Sequence, residues 1–167
     1  MILALPKKIS EINKANRQLK IAIVKSSYYP NLCRSLEKAC REHLIISGVN
    51  KNNIETFAVP GSWEIPLIVK KIAQAKKFDG IVALGVIIKG ETYHFELVSN
   101  ESGAGITRVG LDAGLPVANA ILTTEDDEQA EVRMQEKGAD AARVAVEMAN
   151  LCLALEELAE GLEDLIS

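Results

Sequence analysis

The chain has 167 residues, 48% hydrophobic and 25% charged, a composition that suits one soluble globular domain with a core of its own. Its formal net charge of −4 gives no electrostatic reason to expect nucleic acid or an anionic membrane as partner. No apolar run reaches membrane-spanning length, and the lysines of "MILALPKK" follow its apolar residues instead of preceding them, unlike a signal peptide.

The expected compartment is therefore the cytoplasm. The three cysteines, Cys33, Cys40 and Cys152, fit no metal-binding spacing and are expected as free thiols, in keeping with a reducing environment. Charge is unevenly spread. Residues 1–20 hold Lys7, Lys8, Lys14, Arg17 and Lys20 against Glu11, while residues 156–167 hold five acidic residues and no base, with 161–167 as the acidic tail and 1–19 as the basic segment. The plain expectation is two solvated ends around a domain at 20–160, the first of them disordered. A contact between the opposite tails in an oligomer is the alternative.

In chain order, "KIAIV" (20–24) predicts a first strand. Pro30 suits the first turn of a helix. Leu32, Leu36, Ala39, Cys40, His43 and Leu44 share one face of it, and Gly48 closes it. "NIETFAV" (53–59) predicts a second strand, ended by Pro60-Gly61. Helical spacing returns at Ile65, Ile68, Val69 and Ile72. "GIVALGVII" (80–88) is apolar on both faces, as a central parallel strand should be. Residues 94–112 read as a helix weakened by Gly103 and Gly105. "LPVANAIL" (115–122) predicts the fourth strand. Thr124 then offers an N-cap with Asp127 three residues on, and a last helix is expected over about 138–160.

Alternating strands and helices predict an α/β fold with a four-stranded parallel sheet covered on both faces. Ligands of such sheets sit beyond the carboxyl ends of the strands. Three loops lie there: "KSSYYPN" (25–31), "VPGSWEIP" (59–66) and "KGETYH" (89–94). Neither a P-loop nor a G-x-G-x-x-G motif is present. Gly90, Glu91 and Thr92 precede a helix, where free N–H groups suit an anion such as phosphate. His94, one of two histidines, falls at the same helix start and is the acid–base candidate, against the plainer reading of a solvated histidine. Tyr28 offers a ring to stack on a heterocycle, and the guanidinium fork of Arg133 matches phosphate oxygens.

"VPGSWEIP", "IVALGVIIKGETYHFELV" and "PVANAILTTEDDEQAEVRM", in this order and followed by "KGADAARVAVEMANL", resemble the 6,7-dimethyl-8-ribityllumazine synthase family over about residues 20–155. The resemblance implies a flavodoxin-like three-layer sandwich. It implies an enzyme that condenses 5-amino-6-(D-ribitylamino)uracil with 3,4-dihydroxy-2-butanone 4-phosphate, the penultimate step of riboflavin biosynthesis. Phosphate and water are released, and neither metal nor organic cofactor is used. By position, Tyr28 matches the residue that stacks on the pyrimidine. Ser62, Trp63 and Glu64 match the segment holding the ribityl chain and ring, and Ile87 and Ile88 line the ring pocket. Gly90, Glu91 and Thr92 match the phosphate turn, and His94 the proton-transfer histidine. Arg133 matches the phosphate-holding arginine and Lys137 a lysine nearby, both from a neighbouring subunit.

Asn119 stands where many members have phenylalanine, which makes that part of the ring pocket polar. Only three residues separate Arg133 from Lys137, fewer than in the capsid-forming members. A pentamer or decamer with sites between subunits is therefore expected over a sixty-subunit shell. Two competing readings are a non-catalytic flavin- or lumazine-binding paralogue and a flavodoxin-like FMN carrier. The first should lack His94 or Arg133. The second needs a glycine-containing phosphate loop after the first strand, which "KSSYYPN" does not supply.

Overall fold

The computed structural model describes residues 15–166. Four strands, β1 (Ile21–Ser26), β2 (Ile54–Val59), β3 (Gly80–Ile88) and β4 (Val117–Thr124), alternate with four helices. The helices are α1 (Pro30–Ile46), α2 (Ile65–Gln74), α3 (His94–Ala113) and α4 (Asp127–Ile166). All strand pairs are parallel, in the order β2-β1-β3-β4. This is the covered parallel sheet expected from the alternating pattern, in the flavodoxin-like three-layer arrangement that the resemblance implies.

Side chains of a strand alternate between faces, so each face of the sheet collects its own core. Ile21 and Ile23 of β1 join Val82 and Leu84 of β3 under α1 and α4. Ala22 and Val24 join Ile81 and Ala83 under α2 and α3. Both strands are thus buried on both sides, which is why β3 reads as an unbroken apolar run. Each fully buried isoleucine or leucine contributes about 1.5–3 kcal/mol relative to exposure.

Gly48 ends α1 with φ of 98°, a conformation that suits a residue without Cβ. Its N–H donates to Ile45 and that of Val49 to Leu44, the paired bonds of a Schellman cap.

The start of the last helix differs from the sequence expectation. Thr124 is the final residue of β4, and its hydroxyl donates to the Asp126 carbonyl. Asp126 does the capping, its carboxylate accepting from the N–H of Gln129 at 2.8 Å. The Gln129 side chain reaches back to the N–H of Glu125 at 3.1 Å. The reciprocal capping logic was legible, but the cap itself sits two residues later.

From there α4 runs unbroken for 40 residues, so the helix after β4 and the last helix expected over about 138–160 are one element. Gly138 does not interrupt it because the glycine serves packing. A Cβ at this position would lie 2.6 Å from the Leu36 carbonyl oxygen and 2.9 Å from the Ala39 Cβ, so α1 crosses α4 here at close range. β4 starts at Val117 and not at Leu115, because the Leu115 N–H caps α3 by donating to Gly110.

Lys25, Glu37, Arg41 and Thr56 form a half-buried polar cluster beside β2. Lys25 and Thr56 both donate to the Glu37 carboxylate, and Arg41 donates to the Thr56 hydroxyl. Burial pushes the Glu37 carboxyl up. The bonds from Lys25 and Thr56, with the charges of Lys25 and Arg41, outweigh it and hold the group below the ordinary glutamate value. A depressed folded pKa stabilises the fold above the unfolded pKa, and that stability is lost as pH falls through the folded value. The Glu37→Gln variant should therefore be less stable than wild type at neutral pH, with the gap closing in acid. Urea midpoints measured across pH check this; a gap independent of pH would contradict it.

Residues 15–19 lie against the body. Asn16 and Leu19 are buried, and Asn16 bonds both the Ser47 carbonyl and the Asn150 amide. The basic segment at 1–14 lies outside the described residues. Cys33 and Cys40 are buried, Cys152 is half-buried, and all three are free. Burial pushes the Cys33 thiol up to about 11 and the Cys40 thiol to about 12, so neither is a ready nucleophile. No helix among the described residues is long and apolar enough to cross a membrane.

Candidate functional site

A cleft of about 600 Å³ opens at the carboxyl ends of the first three strands. Three connections build its walls, the three that the strand order singles out.

The first follows β1. The Ser27 N–H donates to the Val59 carbonyl at 2.7 Å, carrying the β1–β2 pairing one residue further. Tyr28 is tied at both ends: its N–H donates to the buried Ser26 hydroxyl, and its carbonyl accepts from the Cys33 thiol. Its ring stands free, 64% exposed, edge-on to Tyr29 at 4.9 Å. Tyr29 has φ of 54°, a left-handed conformation rare for a side chain of this size. The following Pro30 disfavours the right-handed helical region for it, so the chain turns sharply into α1 here. Such strain is kept where the surroundings fix it, and here it aims two aromatic rings at the cleft.

The second connection follows β2. Ser62, Trp63 and Glu64 form a single 3-10 turn that leads directly into α2. The turn lies on β3 because position 85 is glycine: a Cβ there would sit 2.5 Å from the Ser62 hydroxyl oxygen. Ser62 is buried and its hydroxyl has no partner among the described residues. A buried hydroxyl without a partner costs about 1–3 kcal/mol, so it is a ready contact for a polar ligand. Glu64 folds its carboxylate back over Gly61, 3.1 Å from where a Cβ of that glycine would lie.

The third connection follows β3. Val86, Ile87 and Ile88 give the cleft its apolar floor. The Lys89 N–H continues the pairing to the Thr124 carbonyl, and its ammonium pairs with Glu125 at 3.2 Å. The chain then passes Gly90 and Thr92 and enters α3 at His94. No side chain caps this helix, so its first N–H groups are available to an anion. Gly105, which weakened the sequence signal for α3, lets the helix approach α2: its Cβ would lie 2.7 Å from Pro66.

Tyr28, Ser62, Trp63, Glu64, Ile87, Ile88, Gly90, Thr92 and His94 thus line one cleft, although they come from three separate stretches of the chain. Tyr29, Gly61, Val86, Phe95, Leu97 and Val98 line it too and were not singled out from the sequence. Their helical or strand periodicity marks them only as apolar, except for Tyr29, whose place before Pro30 signals a constrained turn.

Four expected residues do not line it. Glu91 is exposed beside the cleft. Asn119 is exposed on β4, its side chain accepting from the Ile121 N–H. Arg133 and Lys137 lie on the outside of α4. Arg133 donates to the Gln129 carbonyl, and Lys137 pairs with Asp140 at 3.3 Å. The three residues between them continue the helix. Among the described residues no group of three or more His, Cys, Asp or Glu is arranged to hold a metal ion.

The geometry is that of a small-molecule site: an apolar floor, an aromatic rim, an unpaired buried hydroxyl and an uncapped helix start. Comparison with known proteins shows the family of the chain. Residues 18–152 match the family model described as 6,7-dimethyl-8-ribityllumazine synthase. A protein of that name from Paraburkholderia phytofirmans is 59% identical over 140 residues, covering 84% of this chain and 83% of the relative. One from Burkholderia vietnamiensis is 58% identical over 142 residues, covering 85% of this chain and 84% of the relative. The matched span takes in all four strands and every loop that builds the cleft, and on that ground the chain belongs to the 6,7-dimethyl-8-ribityllumazine synthase family.

Proposed function

We propose that the cleft condenses 5-amino-6-(D-ribitylamino)uracil with 3,4-dihydroxy-2-butanone 4-phosphate to give 6,7-dimethyl-8-ribityllumazine. The observation that carries this reading is the convergence of Tyr28, Ser62, Glu64, Ile88, Thr92 and His94 on one opening, in a chain of this family. A non-catalytic binding paralogue would lack His94 or Arg133, and the chain has both.

The pyrimidine stacks on Tyr28 over the floor of Ile87 and Ile88. Ser62 and Glu64 face the polar ribityl chain, and Trp63 closes the side. The butanone phosphate meets the N–H groups at the start of α3, with Gly90, Glu91 and Thr92 forming the turn before it. The pyrimidine amine attacks the ketone and an imine forms with loss of water. Phosphate then leaves, and ring closure expels a second water. Each step moves a proton, and His94, at the edge of both substrate positions, serves them. Holding two reactants in register supplies a large share of the acceleration in a bimolecular reaction.

Asn119, Arg133 and Lys137 act on a neighbour's cleft in this reading. They are exposed, outside the cleft of their own chain, and the leaving phosphate needs a cationic fork that the cleft itself does not contain. Exposed apolar residues on α2 and α3, Leu67 at 60% and Leu111 at 80%, suit an assembly surface. A ring of five subunits, alone or paired, acting in the cytoplasm accommodates these features.

Incubating the purified protein with both substrates tests the reading. Lumazine fluorescence should rise with one phosphate released per product. Formation no faster than in buffer would overturn it. Stacking has its own test. Tyr28→Phe should be nearly silent, because the ring remains. Tyr28→Ala should weaken a ribitylamino-pyrimidine ligand about three- to tenfold, the equivalent of about 0.5–1.5 kcal/mol. Calorimetry showing a large Phe effect and a small Ala effect would contradict stacking.

A further inference from the structure

Glycine weakens the interior of a strand or a helix, so its presence there calls for a contact that explains it. Two such glycines meet one short segment, residues 62–66. Gly85 lies beneath it in β3, where a Cβ would come within 2.5 Å of the Ser62 hydroxyl and 3.5 Å of Ile65. Gly105 lies beside it in α3, where a Cβ would come within 2.7 Å of both Cβ and Cγ of Pro66. The segment is thus seated in a notch left by two missing side chains. Gly103, two residues away on the same helix, gives the contrast: among the described residues nothing beyond its neighbours in α3 lies within 4 Å of where its Cβ would be.

The notch matters because of what its two sides carry. Glu64 stands two residues before Pro66 on one wall of the cleft, and His94 begins α3 on another. We propose that Gly105 is a positioning residue for the reaction: by letting α3 rest on Pro66, it sets the distance between His94 and the wall that holds the pyrimidine. The inference rests on the condensation reading above.

The contact has no slack. The Pro66 ring is tied to its own backbone and cannot swing aside. Ile65 next to it is fully buried in the core under α2 and α3, so the segment is held on the sheet. On the far side of α3, Glu101, Ala104 and Arg108 are exposed, so α3 is the element that yields. Carbon–carbon contacts are best at about 3.5–4.0 Å, so a methyl at position 105 would drive the helix outward by about 1 Å. α3 is continuous from His94 to Ala113, which carries a shift at residue 105 to its first turn. His94 and the N–H groups that meet the butanone phosphate then move together, while Tyr28, Ser62, Glu64 and the Ile87–Ile88 floor stay. Each substrate keeps its own contacts and the two lose their register, on which the rate of a bimolecular reaction depends.

Turnover and ligand affinity, measured on the same full-length proteins, test this. Gly105→Ala should lower kcat on the order of ten- to a hundredfold. A ribitylamino-pyrimidine analogue should still bind it within about twofold of the wild-type affinity. Gly103→Ala should leave both quantities unchanged. Pro66→Gly removes both atoms that position 105 would strike, so adding Gly105→Ala to it should change turnover by no more than about twofold. That double variant carries no collision, and it decides the matter even where Gly105→Ala does not fold. Wild-type kcat in Gly105→Ala would overturn the inference, as would a loss just as large in the Pro66→Gly background. Equal losses of turnover and analogue affinity would also overturn it, because the substitution would then disrupt the cleft as a whole. A wild-type protein without turnover would sink the condensation reading, and this inference with it; an active wild type with an unaffected Gly105→Ala sinks the inference alone.

Discussion

Turnover by the His94→Ala variant should fall by roughly ten- to a thousandfold, the range left when one general acid–base group is lost while substrate alignment survives. His94 begins α3 at the rim of the cleft, and its exposed ring is free to reach a substrate. The pyrimidine should bind the variant as before, because Tyr28, Ser62 and the Ile87–Ile88 floor are untouched. Steady-state kinetics should therefore show the loss in kcat, with little change in KM. Wild-type turnover would mean that water or another group carries the protons.

Arg133→Ala should have a comparably large effect through binding. A hydrogen bond to a charged group contributes about 1.5–3 kcal/mol, so loss of the guanidinium should weaken the phosphorylated substrate by about ten- to a hundredfold. A ribitylamino-pyrimidine analogue carries no phosphate and should bind nearly unchanged. Among the described residues the exposed Arg133 side chain donates to Gln129 of its own helix, so its removal should not disturb the fold. Titration of both ligands into the variant distinguishes the two roles. Equal losses would show that Arg133 supports the cleft as a whole and does not read the phosphate.

The cleft was legible because its residues sit in short loops whose punctuation is local. Pro60-Gly61 ends β2, Gly90 ends β3, and Pro30 starts α1, so Tyr28, Ser62 and His94 fall at strand ends from pattern alone. β3 was read to its observed bounds because it is buried on both faces. The boundaries that moved are those set by competition between neighbours. Thr124 has the chemistry of an N-cap but is claimed by pairing with Ile88, and the cap passes to Asp126. Gly138 is a contact point with α1, which no helix propensity reveals. The strain at Tyr29 depends on a backbone angle and not on side-chain type. For Asn119, Arg133 and Lys137 the residue types suggest binding, but their ligand would lie against a second subunit, and helical or strand periodicity carries no information about that.

A site shared between subunits is the point on which the catalytic account turns, and subunit mixing measures it directly. His94→Ala and Arg133→Ala proteins, each impaired as a pure oligomer, would be unfolded together in equal amounts and refolded. In a ring each site takes its cleft from one subunit and its arginine from the next, so about one site in four regains both intact groups. Activity should recover to about a quarter of wild type, in a species that sizes as an oligomer. Activity no higher than that of the two parents, with mixed oligomers confirmed by mass, would contradict the shared site and place every catalytic group within a single chain.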